Sequence, residues 1–131
     1  MFLGTFTPKL LPSNQITLPA KLRGGLSNNR AVLARGFDRC VYGFSLGDWQ
    51  KIVEQEILKP LLTEEGRRIR QQIFSQSEEV DLDSQGRFVV PDYLRAYAKL
   101  SEEVVIIGAG DHFEIWNKEG WSKLEQSLDR G

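Results

Sequence analysis

Asp83 and Arg87 flank Ser84-Gln85-Gly86, a run that reads as a tight turn. Asp and Ser side chains bond the backbone ahead of them, and glycine takes positive φ without a Cβ clash. A carboxylate four residues before an arginine, across such a turn, has two uses. It can simply staple the turn. It can also hold the guanidinium in one rotamer, so that its planar fork meets an acceptor pair such as guanine O6 and N7. Residue types alone leave both open. Other chemistry-bearing residues are sparse. Cys40 and His112 are the single cysteine and the single histidine. They stand at equivalent places in two related hairpins, not as a nucleophile and its base. The carboxylates Glu78, Glu79, Asp81 and Asp83 form one short run that suits solvation or capping. No phosphate loop, dinucleotide fingerprint or metal-ligand spacing occurs. The chain reads as a non-enzyme without metal or cofactor.

The turn belongs to the stretch Leu82 to Arg95, LDSQGRFVVPDYLR. Arg87 to Val90 is rich in β-formers, Pro91 suits a helix start, and Leu94, Tyr97 and Ala98 give that helix one apolar face. The unit occurs twice. Pro19, Leu22 and Arg23 match Pro91, Leu94 and Arg95 at one offset (91 − 19 = 72). Ile16-Thr17-Leu18 falls on Phe88-Val89-Val90, Gly36 on Gly108 and Trp49 on Trp121, while Asp38 meets Asp111 with one inserted residue. This register marks an internal duplication.

The 131 residues suit one domain or two half-sized units. Each half is near the lower limit for folding alone, so the halves are expected to pack on each other or on other subunits. No apolar run is long enough to span a bilayer, and the N-terminus lacks the features of a signal peptide. A lone cysteine fits a reducing cytoplasm. Net charge is −1, but unevenly spread. From Thr5 to Gly47, Lys9, Lys21, Arg23, Arg30, Arg35 and Arg39 face Asp38 alone. From Ser77 to Gly120, ten acids outnumber Arg87, Arg95, Lys99 and Lys118. Such asymmetry offers a basic, phosphate-facing surface, or a head-to-tail attraction between neighbouring copies, or only a solvated charge distribution.

In chain order, a strand is expected from Phe2 to Leu11, a turn at Pro12-Ser13-Asn14, a strand from Gln15 to Leu18 and a short helix from Pro19 stopped by Gly24-Gly25. A hairpin follows, with strands Ala31 to Leu33 and Cys40 to Phe44. Ser45 to Leu62 has helical period, capped by Ser45 or Asp48 and ended or bent by Pro60. Thr63 caps a second helix whose Arg67, Arg68 and Arg70 suit a solvated face better than a DNA contact. The second half repeats the order. Val104 to Ile107 is a strand buried on both faces, Gly108 to Asp111 a turn, and Asn117 caps a last helix with Trp121, Leu124 and Leu128 on one face. The fold class is α+β, with β-turn-β-helix-β-turn-β-helix occurring twice.

The DSQGR turn, the PDYLR helix, the VVIIGAGDHFEIW hairpin, the opening MFLGTF and the duplication together resemble the MraZ family over about residues 1 to 128. The resemblance implies two AbrB-like swapped-hairpin, β-barrel-type half-units with a pseudo-symmetric core, flanked by helices. Residues 5–47 would be the first unit, 48–76 a helical connector, 77–120 the second unit and 121–131 a C-terminal helix and tail. It implies a transcriptional regulator, read as a repressor, that is associated with the nucleoid. Such a protein binds double-stranded DNA at repeated boxes upstream of the cell-division and cell-wall operon, which includes its own gene. It further implies a ring-shaped homo-oligomer, with no membrane or small-molecule partner. The alternative is an AbrB or antitoxin-like module that neutralises a protein partner. The family's Asp-x-x-x-Arg turn falls on Asp83 and Arg87, with Gln85 between them; in the first half those places hold Leu11 and Gln15. The DNA-facing set carried over is Asp83, Gln85 and Arg87, with Gln15, Lys9, Lys21, Arg23 and Arg95.

Overall fold

The computed structural model describes residues 1–130, so Gly131, the end of the expected C-terminal tail, lies outside the described residues. The first half contains β1 (Phe2–Phe6), β2 (Gln15–Thr17), α1 (Ala20–Arg23), β3 (Arg30–Arg35) and β4 (Val41–Phe44). Helices α2 (Leu46–Glu56) and α3 (Glu64–Arg68) lead into the second half. That half repeats the order as β5 (Glu78–Asp81), β6 (Arg87–Val89), α4 (Asp92–Tyr97), β7 (Val104–Gly110) and β8 (Phe113–Asn117), and α5 (Lys118–Arg130) closes it. The fold is mixed α+β with antiparallel strand pairing throughout the described residues.

The halves do not sit side by side. They interleave strand by strand in one six-stranded sheet of order β1-β7-β8-β4-β3-β5. The first strand of each half hydrogen-bonds to the hairpin of the other half: β1 on β7, β5 on β3. The two hairpins meet through β4 and β8, where Tyr42 lies opposite Glu114. A separate two-stranded ribbon pairs β2 with β6, Ile16 opposite Phe88. Tyr42 and Glu114, like Ile16 and Phe88, are repeat equivalents, so both crossings lie on the pseudo-twofold axis of the duplication. Strands β1 and β5 are edges, and the hydrogen-bond ladder does not close on itself.

One apolar core serves both halves. Ile16, Leu18, Leu22, Leu33 and Val41 pack with their counterparts Phe88, Val90, Leu94, Ile106 and Phe113, and with Ile115. Val104, Val105 and Ile106 are buried, as the unbroken apolar run predicts, whereas Ile107, expected to be buried with them, is only half-buried. Both ribbon strands end at a proline that starts a helix, Pro19 and Pro91, each with φ −55° and ψ 143°.

Several boundaries differ from the sequence-based expectation. Strand β1 stops at Phe6, because Pro8 has no N–H to donate; beyond it only Lys9 forms an isolated bridge, to Glu103. Ser45 caps α2 by accepting from the Asp48 N–H, and α2 ends at Glu56, well before Pro60. Thr63 caps α3 through the Gly66 N–H, but the α-helix continues only to Arg68 and then widens into a π-turn over Ile69–Ile73. Gly108 to Gly110 belong to β7, and the hairpin turns at Asp111-His112. The loop-closing bonds, Gly36 N–H to the Cys40 carbonyl and Ala109 N–H to the His112 carbonyl, match Gly36 with Ala109, not with Gly108. Among the described residues no helix is long and apolar enough to cross a membrane.

Candidate nucleic-acid interface

The turn from Asp83 to Arg87 is built by its own side chains. The Asp83 N–H donates to the Arg87 carbonyl and the Gly86 N–H to the Asp83 carbonyl, both at 2.9 Å. One Asp83 carboxylate oxygen accepts the N–H groups of Gln85 and Arg87, each at 2.9 Å. The other accepts Arg87 Nε at 2.6 Å. The Arg87 N–H, with further help from the guanidinium and the Gln85 N–H, outweighs partial desolvation and holds the Asp83 carboxyl below its ordinary range. The predicted staple is therefore present. It uses only Nε, which leaves the two terminal amino groups of an exposed arginine outside the pair's hydrogen bond.

The first-half turn keeps the same backbone without the clamp. The Leu11 N–H donates to the Gln15 carbonyl at 2.9 Å and the Asn14 N–H to the Leu11 carbonyl at 2.8 Å. Asn14 takes the positive φ (65°) that Gly86 takes in the second turn (82°). Leu11 and Gln15 hold the places of Asp83 and Arg87, so no carboxylate-guanidinium fork forms there.

The antiparallel ribbon puts the two turns at its two ends, because Arg87 lies opposite Thr17 and Gln15 opposite Val89. The eight expected residues therefore divide. Asp83, Gln85 and Arg87 come together at one end, with Arg23 from the first half lying on Gly86. At the other end Lys9, Asn14 and Arg95 line a cleft of about 510 Å³ with Pro12 and Asp92, next to Gln15. Lys21 is exposed on α1.

The charge asymmetry is partly used up inside the chain, because the halves interleave. Lys9 lies 4.0 Å and 3.9 Å from Glu102 and Glu103, and Arg30 pairs with Asp81 at 3.0 Å. Arg35 and Arg39 both stack on the Tyr97 ring. This weakens both charge-based readings, the basic DNA-facing half and the head-to-tail attraction. Two of the three connector arginines are likewise engaged, Arg68 with Glu64 and Arg70 with the carbonyls of Ile57, Lys59 and Gly66, while Arg67 is exposed.

A polar cluster at the paired hairpins was not legible as such. His112 bonds Asp111 at 2.7 Å and Glu114 at 2.8 Å. Glu114 also accepts from Trp116 Nε1, and the Cys40 thiol points toward it. Phe44 stacks on the His112 ring and Tyr42 meets it edge-on. Burial and the charges of Glu114 and Asp38 push the Cys40 thiol up, which favours its neutral form over the thiolate. Burial also pushes the Tyr42 phenol up to about 12. For His112, burial opposes charge, but the bonds to Glu114 and Asp111 prevail and its pKa is raised. Burial opposes ionisation of Glu114 as well, and the bonds from His112 and Trp116 prevail to lower it. A raised histidine stabilises the fold below its ordinary value and loses that contribution as pH rises through the raised value. A depressed carboxylate contributes above its ordinary range and loses that as pH falls. The melting temperature is thus expected to fall as pH climbs above about 6.5, and His112→Asn is expected to flatten that limb. Thermal melts of both proteins over a pH series check this; parallel curves above pH 6.5 would remove the assigned role.

Two comparisons fit this geometry. A family model described as "MraZ protein, putative antitoxin-like" matches residues 1–71 and 73–130. A relative named "Transcriptional regulator MraZ", from Roseiflexus castenholzii (strain DSM 13941 / HLO8), is 36% identical over 129 residues. That alignment takes in 98% of this chain and 90% of the relative. The match spans both halves, including the turn that carries Asp83 and Arg87, and on that extent the chain belongs to the MraZ family.

Proposed function

We propose that the chain is a sequence-specific DNA-binding transcriptional regulator, acting as a repressor of a cell-division and cell-wall operon that includes its own gene. It works in the cytoplasm on the nucleoid, as a ring-shaped homo-oligomer that binds repeated upstream boxes. In this reading residues 5–47 and 77–120 are AbrB-like swapped-hairpin units, joined by the connector 48–76 and followed by the helix and tail 121–131. The relative's name supports the regulator class. The observation that carries the DNA reading is the Asp83–Arg87 clamp, an exposed arginine held by Nε with its terminal amino groups unused by the clamp. A turn this narrow enters a major groove, and the fork matches guanine O6 and N7. Asp83 fixes the rotamer before binding, which lowers the entropy lost on contact. One turn reads only a few base pairs, so repeated boxes and several copies supply the remaining affinity through avidity.

The test is a titration of the full-length chain with a duplex carrying the region upstream of its own gene, against a shuffled duplex, over a salt series. Preference for the upstream duplex, with affinity falling steeply as salt rises, is the expected result. Equal binding to both duplexes would defeat the sequence-specific reading. The family description's word "antitoxin-like" favours a second reading, a module that neutralises a protein partner. Gel filtration separates the two, since a discrete high-order oligomer fits the regulator and a small dimer the antitoxin.

A further inference from the structure

Gly86 is gripped from two sides by the first half of the chain. The Leu18 N–H donates to its carbonyl at 2.9 Å. The Arg23 side chain lies across its Cα: a Cβ added there would meet Arg23 Cδ at 2.5 Å, Nε at 2.7 Å and Cζ at 2.9 Å. Arg23 Nε is buried and has no hydrogen-bond partner among the described residues. An arginine whose task was only to meet a phosphate would keep Nε in water, since a buried unpaired donor costs stability. A stem laid flat on a turn explains the burial by packing.

The repeat supplies an internal comparison. In the first half the Val90 N–H donates to the Asn14 carbonyl, the counterpart of the Leu18 bond to Gly86. Asn14, however, carries a side chain, which donates to Asp92 on α4. The place of Asp92 in α1 is Ala20, which offers no acceptor. Arg95 Nε is likewise buried without a partner among the described residues, so burial of Nε is common to both arginines; what differs is that Arg95 lines an open cleft beside Asn14 in place of a close contact with a glycine. The tight arginine-on-glycine contact therefore accompanies the turn that has the Asp-x-x-x-Arg pattern, and its twin lacks both.

We propose that Arg23 is a positioning residue: its side chain, lying on Gly86, fixes the turn that presents Arg87, so that both halves build the one reading turn. This rests on the reading of that turn as the DNA contact. It reassigns Arg23 from phosphate binding to support.

The experiment has two arms, both on the full-length chain. Amide hydrogen exchange without DNA reads the support directly. Arg23→Ala is expected to speed exchange at the Leu18 and Arg87 N–H groups about tenfold, with the Ile106 N–H in the sheet unchanged. Arg23→Met, which keeps the stem, is expected to stay near wild type. Unchanged exchange at Leu18 and Arg87 in Arg23→Ala overturns the proposal. The second arm uses a duplex enriched from a random pool by the wild-type chain, and a shuffled duplex of the same composition. Support by packing expects Arg23→Met to keep its preference and Arg23→Ala to lose about tenfold on the enriched duplex alone. A phosphate contact expects both variants to weaken on both duplexes, with a salt slope shallower by about one, and that result also overturns the proposal. If wild type and Arg87→Ala bind the enriched duplex equally, the reading of the turn fails, and the exchange arm alone decides the role of Arg23. Should Arg23→Ala not fold, Arg23→Asn, which removes the stem beyond Cγ and leaves the left-handed Gly86 backbone untouched, is read in the same way, and unchanged exchange at Leu18 and Arg87 overturns the proposal.

Discussion

Arg87→Ala should weaken binding to the upstream duplex by about 1–3 kcal/mol, roughly five- to 150-fold for each engaged turn, and leave binding to a shuffled duplex nearly unchanged. Asp83 takes Nε of Arg87, and no other bond fixes its terminal amino groups among the described residues. Those groups form the fork that a guanine edge accepts. Removing the side chain deletes base contact and only one cation, so the specific complex should suffer far more than the non-specific one. Arg87→Lys should recover the charge without the fork, and should restore little of the preference. Asp83→Asn keeps a side chain of the same shape and an intact arginine but loses the ionic hold, so it should fall between wild type and Arg87→Ala. Competition titrations at one moderate salt concentration give all four values. If Arg87→Ala keeps the wild-type preference, the Asp83–Arg87 pair is a staple and nothing more.

The local devices around this turn were legible from sequence because each depends on neighbours in the chain. The turn chemistry of Asp83 to Arg87, the proline starts at Pro19 and Pro91 and the caps at Ser45, Thr63 and Asn117 are all present. The repeat was legible too, and it identifies residues on the symmetry axis without stating that they touch. What the sequence could not show was which half each strand would join. A segment's net charge describes a surface only on the assumption that sequence neighbours are spatial neighbours. The exchange of β1 and β5 between hairpins breaks that assumption and sets Lys9 and Arg30 against acids of the other half. The contact of Arg23 with Gly86 was hidden for the same reason. Arg23 read as a free cation, whereas the packing surface it needs lies 63 residues later (86 − 23 = 63).

Phe88→Ala should lower the stability of the entire chain by about 3–5 kcal/mol, in one transition. Phe88 is 2% exposed and faces Ile16, 1% exposed, at the crossing of β2 and β6. Around this pair stand Leu18 and Leu22 of the first half and Val90 and Leu94 of the second, all fully buried. A cavity there removes packing from both halves at once, and three residue pairs of ribbon cannot collapse to refill it. Against a total of about 5–15 kcal/mol, such a loss is severe, and for a chain of this size it moves the midpoint down by roughly 10–20 °C. The single transition is the sharper part of the expectation. Two separately folded halves would let the second melt early and leave the first standing. Among the described residues β1 has its sheet partner only in β7, and β5 only in β3, so neither half keeps its sheet when the other opens. Val89→Ala, one residue away on the exposed face, should shift the midpoint by only a few degrees. Calorimetry on the three proteins decides it: a Phe88→Ala trace that splits into two peaks, with one at the wild-type temperature, would mean the halves fold independently despite their exchanged strands.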